Sequence, residues 1–247
     1  MTAPPVFPLF RRRSAYSAWG ESSVEIQGKQ VVLFPAQAPG VPLVLLNAFE
    51  DEGTQINTAY RAAKSPDCTL AAVSGFDWDA DLTPWPAPPL RKADPPFAGR
   101  ADAYLAFLTG ELLPAVRAEL PAEPAFTVIA GYSLAGLFAV YAALRGEAFA
   151  AAVSASGSLW YPDFADFLRK TPLPAPLRAV YLSLGDAEPR TRHPLMKTVG
   201  ESTEVAYETL RERGADTVFE WNPGNHFRDE ALRTAKGIRW VLERLKA

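Results

Sequence analysis

Phe126-Thr127-Val128-Ile129-Ala130-Gly131-Tyr132-Ser133-Leu134-Ala135-Gly136 is the stretch on which the fold of this chain turns. A β-branched apolar run enters a tight turn of small residues at Ser133, and the alanine-rich stretch from Leu134 to Leu144 follows with helical periodicity. Strand, sharp turn and helix in that order lift a serine hydroxyl to the tip of the bend, where it can act as a nucleophile. The bend brings strand and helix together, so the positions two before and two after the serine must be small. They are Gly131 and Ala135, with Gly136 next. Glycine is the stricter choice at 135, and a single methyl group there is expected to be tolerated. A serine in such a turn otherwise only caps the helix, so the rest of the chain must supply its chemical partners.

The 247 residues suit one α/β domain, residues 1–247, able to bury roughly 70–75% of its unfolded surface. With 48% hydrophobic residues, 21% charged residues and a formal charge of −3, the balance argues against nucleic acid as a partner. Arg11-Arg12-Arg13 is the only basic run and is expected to be a solvated tail or first loop. Cys68 is the single cysteine, which excludes an internal disulfide and any multi-cysteine metal site; it reads as a small buried hydrophobe. No apolar run approaches the ~20 residues of a membrane span, and no apolar region follows a charged leader. The expectation is a cytoplasmic protein without membrane partner, cofactor or metal. Asp77, Asp79 and Asp81 alternate as in a calcium loop but lack its glycine and distal glutamate, so they read as a solvated turn. The composition carries no signal of oligomeric state.

Apolar runs alternate with helical patterns along the chain, which predicts a mostly parallel central sheet with helices on both faces. Residues 24–26 and 30–34, split by Gly28-Lys29, read as a strand pair, and 43–46 as a strand buried on both faces. Later strands are expected at 70–73, 126–130, 150–154, 179–184 and 217–221. Four helices stand out: 102–120 with a kink at Pro114, the helix from the serine turn to Arg145, 203–213 before Gly214, and 229–245. Residues 76–99 differ, holding six prolines with Trp78 and Trp85, so neither regular helix nor central strand is expected there. A loop of that length leaving the C-terminal end of a central strand is placed to cover the mouth of a site.

A serine hydroxyl needs an adjacent general base, which needs an orienting acid. The chain has only two histidines. His226, in Asn222-Pro223-Gly224-Asn225-His226-Phe227, follows the last strand and precedes the last helix, and it comes after the serine and the acid in chain order. His193, in Arg190-Thr191-Arg192-His193-Pro194, falls where the acid is expected and reads as a pocket or surface residue. The acid belongs to Gly185-Asp186-Ala187-Glu188-Pro189, where spacing does not choose between Asp186 and Glu188. A developing oxyanion needs two donors. One is the N–H of Leu134 at the positive end of the helix; the other is sought in Asn47-Ala48-Phe49, from Ala48 or Phe49. Trp78, Trp85, Trp160 and Tyr132 are the candidates for lining a substrate pocket.

Together these segments resemble the esterase-D-like branch of the α/β-hydrolases, and within it the esterases related to the enterobactin and salmochelin trilactone hydrolases. Gly131-Tyr132-Ser133-Leu134-Ala135-Gly136 corresponds to the nucleophile turn of that family, and Ser154-Ala155-Ser156-Gly157-Ser158-Leu159-Trp160 is similar to its Ser/Leu/Trp motif. Gly185-Asp186-Ala187-Glu188-Pro189 looks like its Gly-x-x-Glu-Pro loop, and Gly224-Asn225-His226-Phe227 like its histidine loop. The resemblance implies the α/β-hydrolase fold, Glu188 rather than Asp186 as the acid, and an oxyanion hole at Ala48 or Phe49. It implies hydrolysis of a small-molecule carboxylic ester through an acyl-enzyme, with no cofactor. Some relatives use a Ser–His dyad alone, and mycolyl-transferring relatives pass the acyl group to an alcohol. A non-catalytic, ligand-binding member is the remaining alternative.

Overall fold

In the computed structural model of this chain, residues 11–12 and 20–245 are described. Long apolar runs without polar alternation form the middle of the sheet, because both faces of those strands are covered. The clearest is β4 (Leu43–Asn47), buried throughout. It follows β1 (Arg11–Arg12), β2 (Ser22–Ile26) and β3 (Lys29–Phe34), and precedes α1 (Glu52–Ala62) and β5 (Thr69–Ser74). Then come α2 (Trp78–Asp81), the short strands β6 (Pro86–Ala87) and β7 (Phe97–Ala98), α3 (Ala101–Phe107), a π turn at Leu108–Leu112 and α4 (Leu113–Ala118). The second half runs β8 (Thr127–Tyr132), α5 (Leu134–Leu144), β9 (Ala151–Ala155), α6 (Phe164–Lys170), β10 (Ala179–Gly185), α7 (Val199–Glu212), β11 (Asp216–Asn222) and α8 (Glu230–Leu245).

The main sheet is ordered β1-β2-β3-β5-β4-β8-β9-β10-β11. The strands from β5 to β11 in that order are all parallel, and β1, β2 and β3 join antiparallel at one edge. Alternate residues of each strand feed two cores, as the two-residue period of a strand requires. Leu43, Leu45, Ile129, Val180 and Leu182 face α5 and its neighbours, whereas Val44, Leu46, Val128, Val153 and Tyr181 face Ile56 and Tyr60 of α1 and Ile238, Val241 and Leu242 of α8. This is the α/β-hydrolase architecture expected from the sequence. Among the described residues no helix is long and apolar enough to cross a membrane.

Several elements depart from the sequence reading. α1 is a helix that the reading left out, because only Gly53, Ile56, Asn57 and Tyr60 are buried on an otherwise polar segment. α6 was likewise missed. Residues 76–99 hold the short helix α2 and the hairpin β6–β7, where no regular element was expected. Asp81 is not a solvated turn residue: it is largely buried, 3.2 Å from Arg100 and 3.6 Å from Lys29. Arg11 and Arg12 form a strand paired with Ser22 and Ser23 rather than a tail, while Arg13 lies outside the described residues. The kink expected at Pro114 takes the form of the π turn just before it. Proline lacks the N–H and crowds the carbonyl four residues back, so the ladder shifts register upstream.

The serine turn depends on one glycine. A Cβ built on Gly131 would lie 2.4 Å from the carbonyl carbon and oxygen of Ala135. The methyl group of Ala135 is accommodated because Gly131 carries none. Gly131→Ala is therefore expected to cost about 3 kcal/mol of stability, the upper range for overpacking, whereas Ala135→Gly should cost less than about 1 kcal/mol. Urea unfolding measures both, and an unchanged midpoint for Gly131→Ala would contradict the close approach.

Candidate active site

Ser133 leaves β8 with φ 57 and ψ −122, a conformation that non-glycine residues avoid and that costs on the order of 1–3 kcal/mol. Its backbone is fixed on both sides. Its N–H donates to the Ala155 carbonyl at 3.1 Å, and its carbonyl accepts from Leu137 and Ser158, each at 3.0 Å. With the main chain so held, the side chain stands at the C-terminal edge of the parallel strands, and Oγ lies 3.0 Å from Nε2 of His226.

His226 reaches that position on the loop after β11. The loop is zipped to the one after β10: Asp186 N–H donates to Asn222 O at 2.8 Å and Ala187 N–H to Gly224 O at 3.0 Å. Asp186 Oδ1 accepts from Gly224 N–H at 2.9 Å and lies 3.8 Å from the Arg190 guanidinium. Glu188 is the acid that meets the ring, with Oε2 2.8 Å from His226 Nδ1. Its other oxygen accepts from Gly185 N–H at 2.6 Å, Ser156 Oγ–H at 2.7 Å and Arg233 at 3.3 Å. Burial pushes the Glu188 carboxyl up, but the hydrogen bonds from His226, Gly185 and Ser156 outweigh it and hold the group below the usual carboxylate range. An ionised carboxylate can only accept, which favours the His226 tautomer with its proton on Nδ1 and its Nε2 open toward Ser133.

Sequence reasoning did not find Arg233, Ser156 or the structural part of Tyr132. The Arg233 guanidinium, 3% exposed, donates to Tyr132 Oη at 3.2 Å, Ser156 Oγ at 3.1 Å and the Pro223 carbonyl at 3.0 Å, besides Glu188. Tyr132 Oη–H donates to the His226 carbonyl at 2.7 Å, so the residue before the nucleophile steadies the histidine loop. Burial pushes its phenol up to about 12, which keeps it a neutral donor. A signal was available: position 233 adjoins the buried stripe Thr234, Gly237, Ile238 and Val241 of α8. An arginine there is a buried charge that requires a partner.

The expected oxyanion donors separate. Leu134 N–H opens α5 beside Ser133, and Leu134 lines the same cavity. Ala48 does not qualify, since its N–H is spent in the sheet on Val73 O at 3.0 Å. Phe49 N–H lies by the site but donates to Glu52 Oε2 at 2.9 Å. Trp78 and Trp160 line the cavity next to Ser133. Trp85 does not: it packs into a ring cluster with Tyr141, Tyr161, Phe164 and Phe167 and donates its indole N–H to Pro162 O at 3.0 Å. His193 takes no part in the Ser133–His226–Glu188 hydrogen bonds. Its Nε2 is 2.8 Å from Leu90 O and its Nδ1 accepts from Leu195 and Met196 N–H, which ties the 76–99 segment to the loop after β10.

The cavity beside Ser133 has a volume of about 290 Å³, and a second space of about 230 Å³ shares Trp78, Ser133, His226 and Phe227 with it. Ser133, His226 and Glu188 stand in a hydrogen-bonded line at the floor of this largely apolar pocket.

A family model described as "Putative esterase" matches residues 34–226. A Bacillus subtilis protein, YbbA, is 24% identical over 188 residues, covering 73% of this chain and 75% of that protein. Among solved structures, an IroE-like serine hydrolase from Shewanella oneidensis superposes with a TM-score of 0.75 at 17% identity, covering 95% of this chain and 80% of its own. The siderophore hydrolase EstA from Aspergillus nidulans superposes with a TM-score of 0.70 at 18% identity, covering 95% of this chain and 100% of its own. At these identities the structural likeness is one of fold.

Proposed function

The chain belongs to that esterase family, and on this premise we propose that it cleaves carboxylic esters of small molecules by a two-step acyl-enzyme route. One observation carries the reading: Glu188, His226 and Ser133 are joined by contacts of 2.8 and 3.0 Å, with the serine held at positive φ. His226 Nε2 takes the Ser133 proton as Oγ attacks the ester carbonyl, and Glu188 stabilises the imidazolium. The Leu134 N–H, at the positive end of α5, receives the oxyanion. Phe49 N–H is the second donor, with the substrate oxygen taking the place of the Glu52 carboxylate on it. His226 returns the proton to the leaving alcohol; water, activated by the same nitrogen, then releases the acid. Trp78, Trp160 and the buried side of Tyr132 bound the space in which the ester sits.

The expected result is release of 4-nitrophenol from 4-nitrophenyl butyrate by wild type, with free butyrate as the main product even when methanol or glycerol is added. Acyl transfer to those alcohols in preference to water would replace hydrolysis by transferase activity. Equal release by wild type and Ser133→Ala would contradict catalysis at this site.

A further inference from the structure

The two spaces that share Ser133 differ in how their carboxylates are partnered. The larger is walled mainly by apolar groups such as Leu90, Phe97, Trp160 and Val199; its carboxylates are Asp79 and Glu188, the latter paired with Arg233. The smaller holds two carboxylates, Glu52 and Glu230, beside the rings of Phe49, Trp78 and Phe227. Among the described residues, no lysine or arginine lines either space, and neither Glu52 nor Glu230 makes an ion pair. The nearby cations are engaged elsewhere, Arg228 at 3.4 Å from Asp229 and Arg233 on Glu188.

Glu52 and Glu230 also open α1 and α8, where acidic residues complement the helix ends. Each helix end supplies roughly half a positive charge against a full negative one, so the space keeps a net negative character. Burial pushes the Glu52 carboxyl up, Phe49 N–H pulls it back, and Glu230 together with Glu50 pushes it further. These two carboxylates therefore face a common space whose lining holds no lysine or arginine. Phe227 is 81% and Phe49 52% exposed, which leaves ring surface open to a cation, while Trp78 meets Phe49 edge-on at 5.8 Å and stacks on Phe76.

We propose that the ester substrate carries a cationic nitrogen, seated between Glu52 and Glu230 under these rings, while its uncharged apolar part fills the larger space. The proposal rests on the ester-hydrolase reading and adds the substrate class to it. A polyanionic ester, such as a ferric tris-catecholate chelate, would meet carboxylates on both sides of Ser133 and no lysine or arginine among the described lining residues.

Two isosteric pairs test it and distinguish which side of the scissile bond bears the charge. On the alcohol side, butyrylcholine is compared with 3,3-dimethylbutyl butyrate. On the acyl side, 4-nitrophenyl 4-(trimethylammonio)butyrate is compared with 4-nitrophenyl 5,5-dimethylhexanoate. In one pair the cation should be favoured about tenfold or more in kcat/KM. The ratio should fall toward unity in Glu52→Gln/Glu230→Gln and with added salt. Ratios within twofold in both pairs, or preference for the neutral members, would overturn the charge assignment and leave ester hydrolysis standing. If none of the four turns over, the expected result is protection of Ser133 from a fluorophosphonate by a cationic ester and not by its isostere. Equal protection would overturn the proposal, and an unlabelled Ser133 would overturn the hydrolase reading as well.

Discussion

Glu188→Ala is expected to lower stability by about 3–5 kcal/mol in addition to cutting kcat by about 10³–10⁴. The stability loss comes from Arg233. Its guanidinium is buried against Glu188 at 3.3 Å, and removing the carboxylate leaves an uncompensated charge in the core. Glu188→Gln keeps the shape and the acceptor oxygen, so it should retain more stability while still losing the charge that stabilises an imidazolium. Glu188→Gln with Arg233→Met removes both charges and should unfold at higher urea than Glu188→Ala, with no recovery of kcat. The sign of the pH dependence follows. Because the folded state holds this carboxyl below its ordinary value, its stabilising contribution is complete above that value and disappears as the pH falls through the lowered one. Wild type should therefore lose more stability on acidification than Glu188→Gln. Urea midpoints as a function of pH measure this, and a Glu188→Ala protein as stable as wild type would contradict the buried pair.

The larger expected kinetic effect belongs to Ser133, the proposed nucleophile. Ser133→Ala should lower kcat by about 10⁵–10⁶ while leaving the fold intact. The backbone at 133 makes its hydrogen bonds through main-chain atoms, which alanine keeps. The positive φ predicts a second outcome. Ser133→Gly should be equally inactive yet more stable than Ser133→Ala by about 1 kcal/mol, because glycine adopts that conformation without strain. Steady-state kinetics and urea unfolding on the two variants separate chemistry from strain, and a Ser133→Ala enzyme with ordinary turnover would move the nucleophile elsewhere.

Much of this architecture was legible in the residue pattern, for reasons specific to each element. β4, β8 and β10 announce themselves because strands covered on both faces are continuously apolar, and α5 because a helix buried on all sides is apolar throughout. The serine turn is legible because the close approach at Gly131 forbids side chains. α1 was not legible, since a helix that buries a narrow stripe keeps a polar sequence. The acid illustrates a different limit. Asp186 and Glu188 are two residues apart on one turn, and contacts far along the chain separate them: Asp186 holds Gly224 N–H while Glu188 meets the imidazole, each 38 positions away. Ala48 failed as a donor because its N–H is needed by the neighbouring strand, and Trp85 left the pocket because four rings from α5, α6 and their approach accept it. Arg233 lay in the periodic pattern of α8, but a pattern of apolar spacing does not say that a buried guanidinium will clamp a carboxylate.

Covalent capture by a fluorophosphonate, read by intact mass and peptide mapping, bears most directly on a serine activated by His226. One phosphonyl group per chain on the peptide containing Ser133, absent in Ser133→Ala and strongly slowed in His226→Ala, is the predicted result. A wild-type protein that stays unmodified under conditions that label a reference serine hydrolase, or that reacts at another residue, would contradict it.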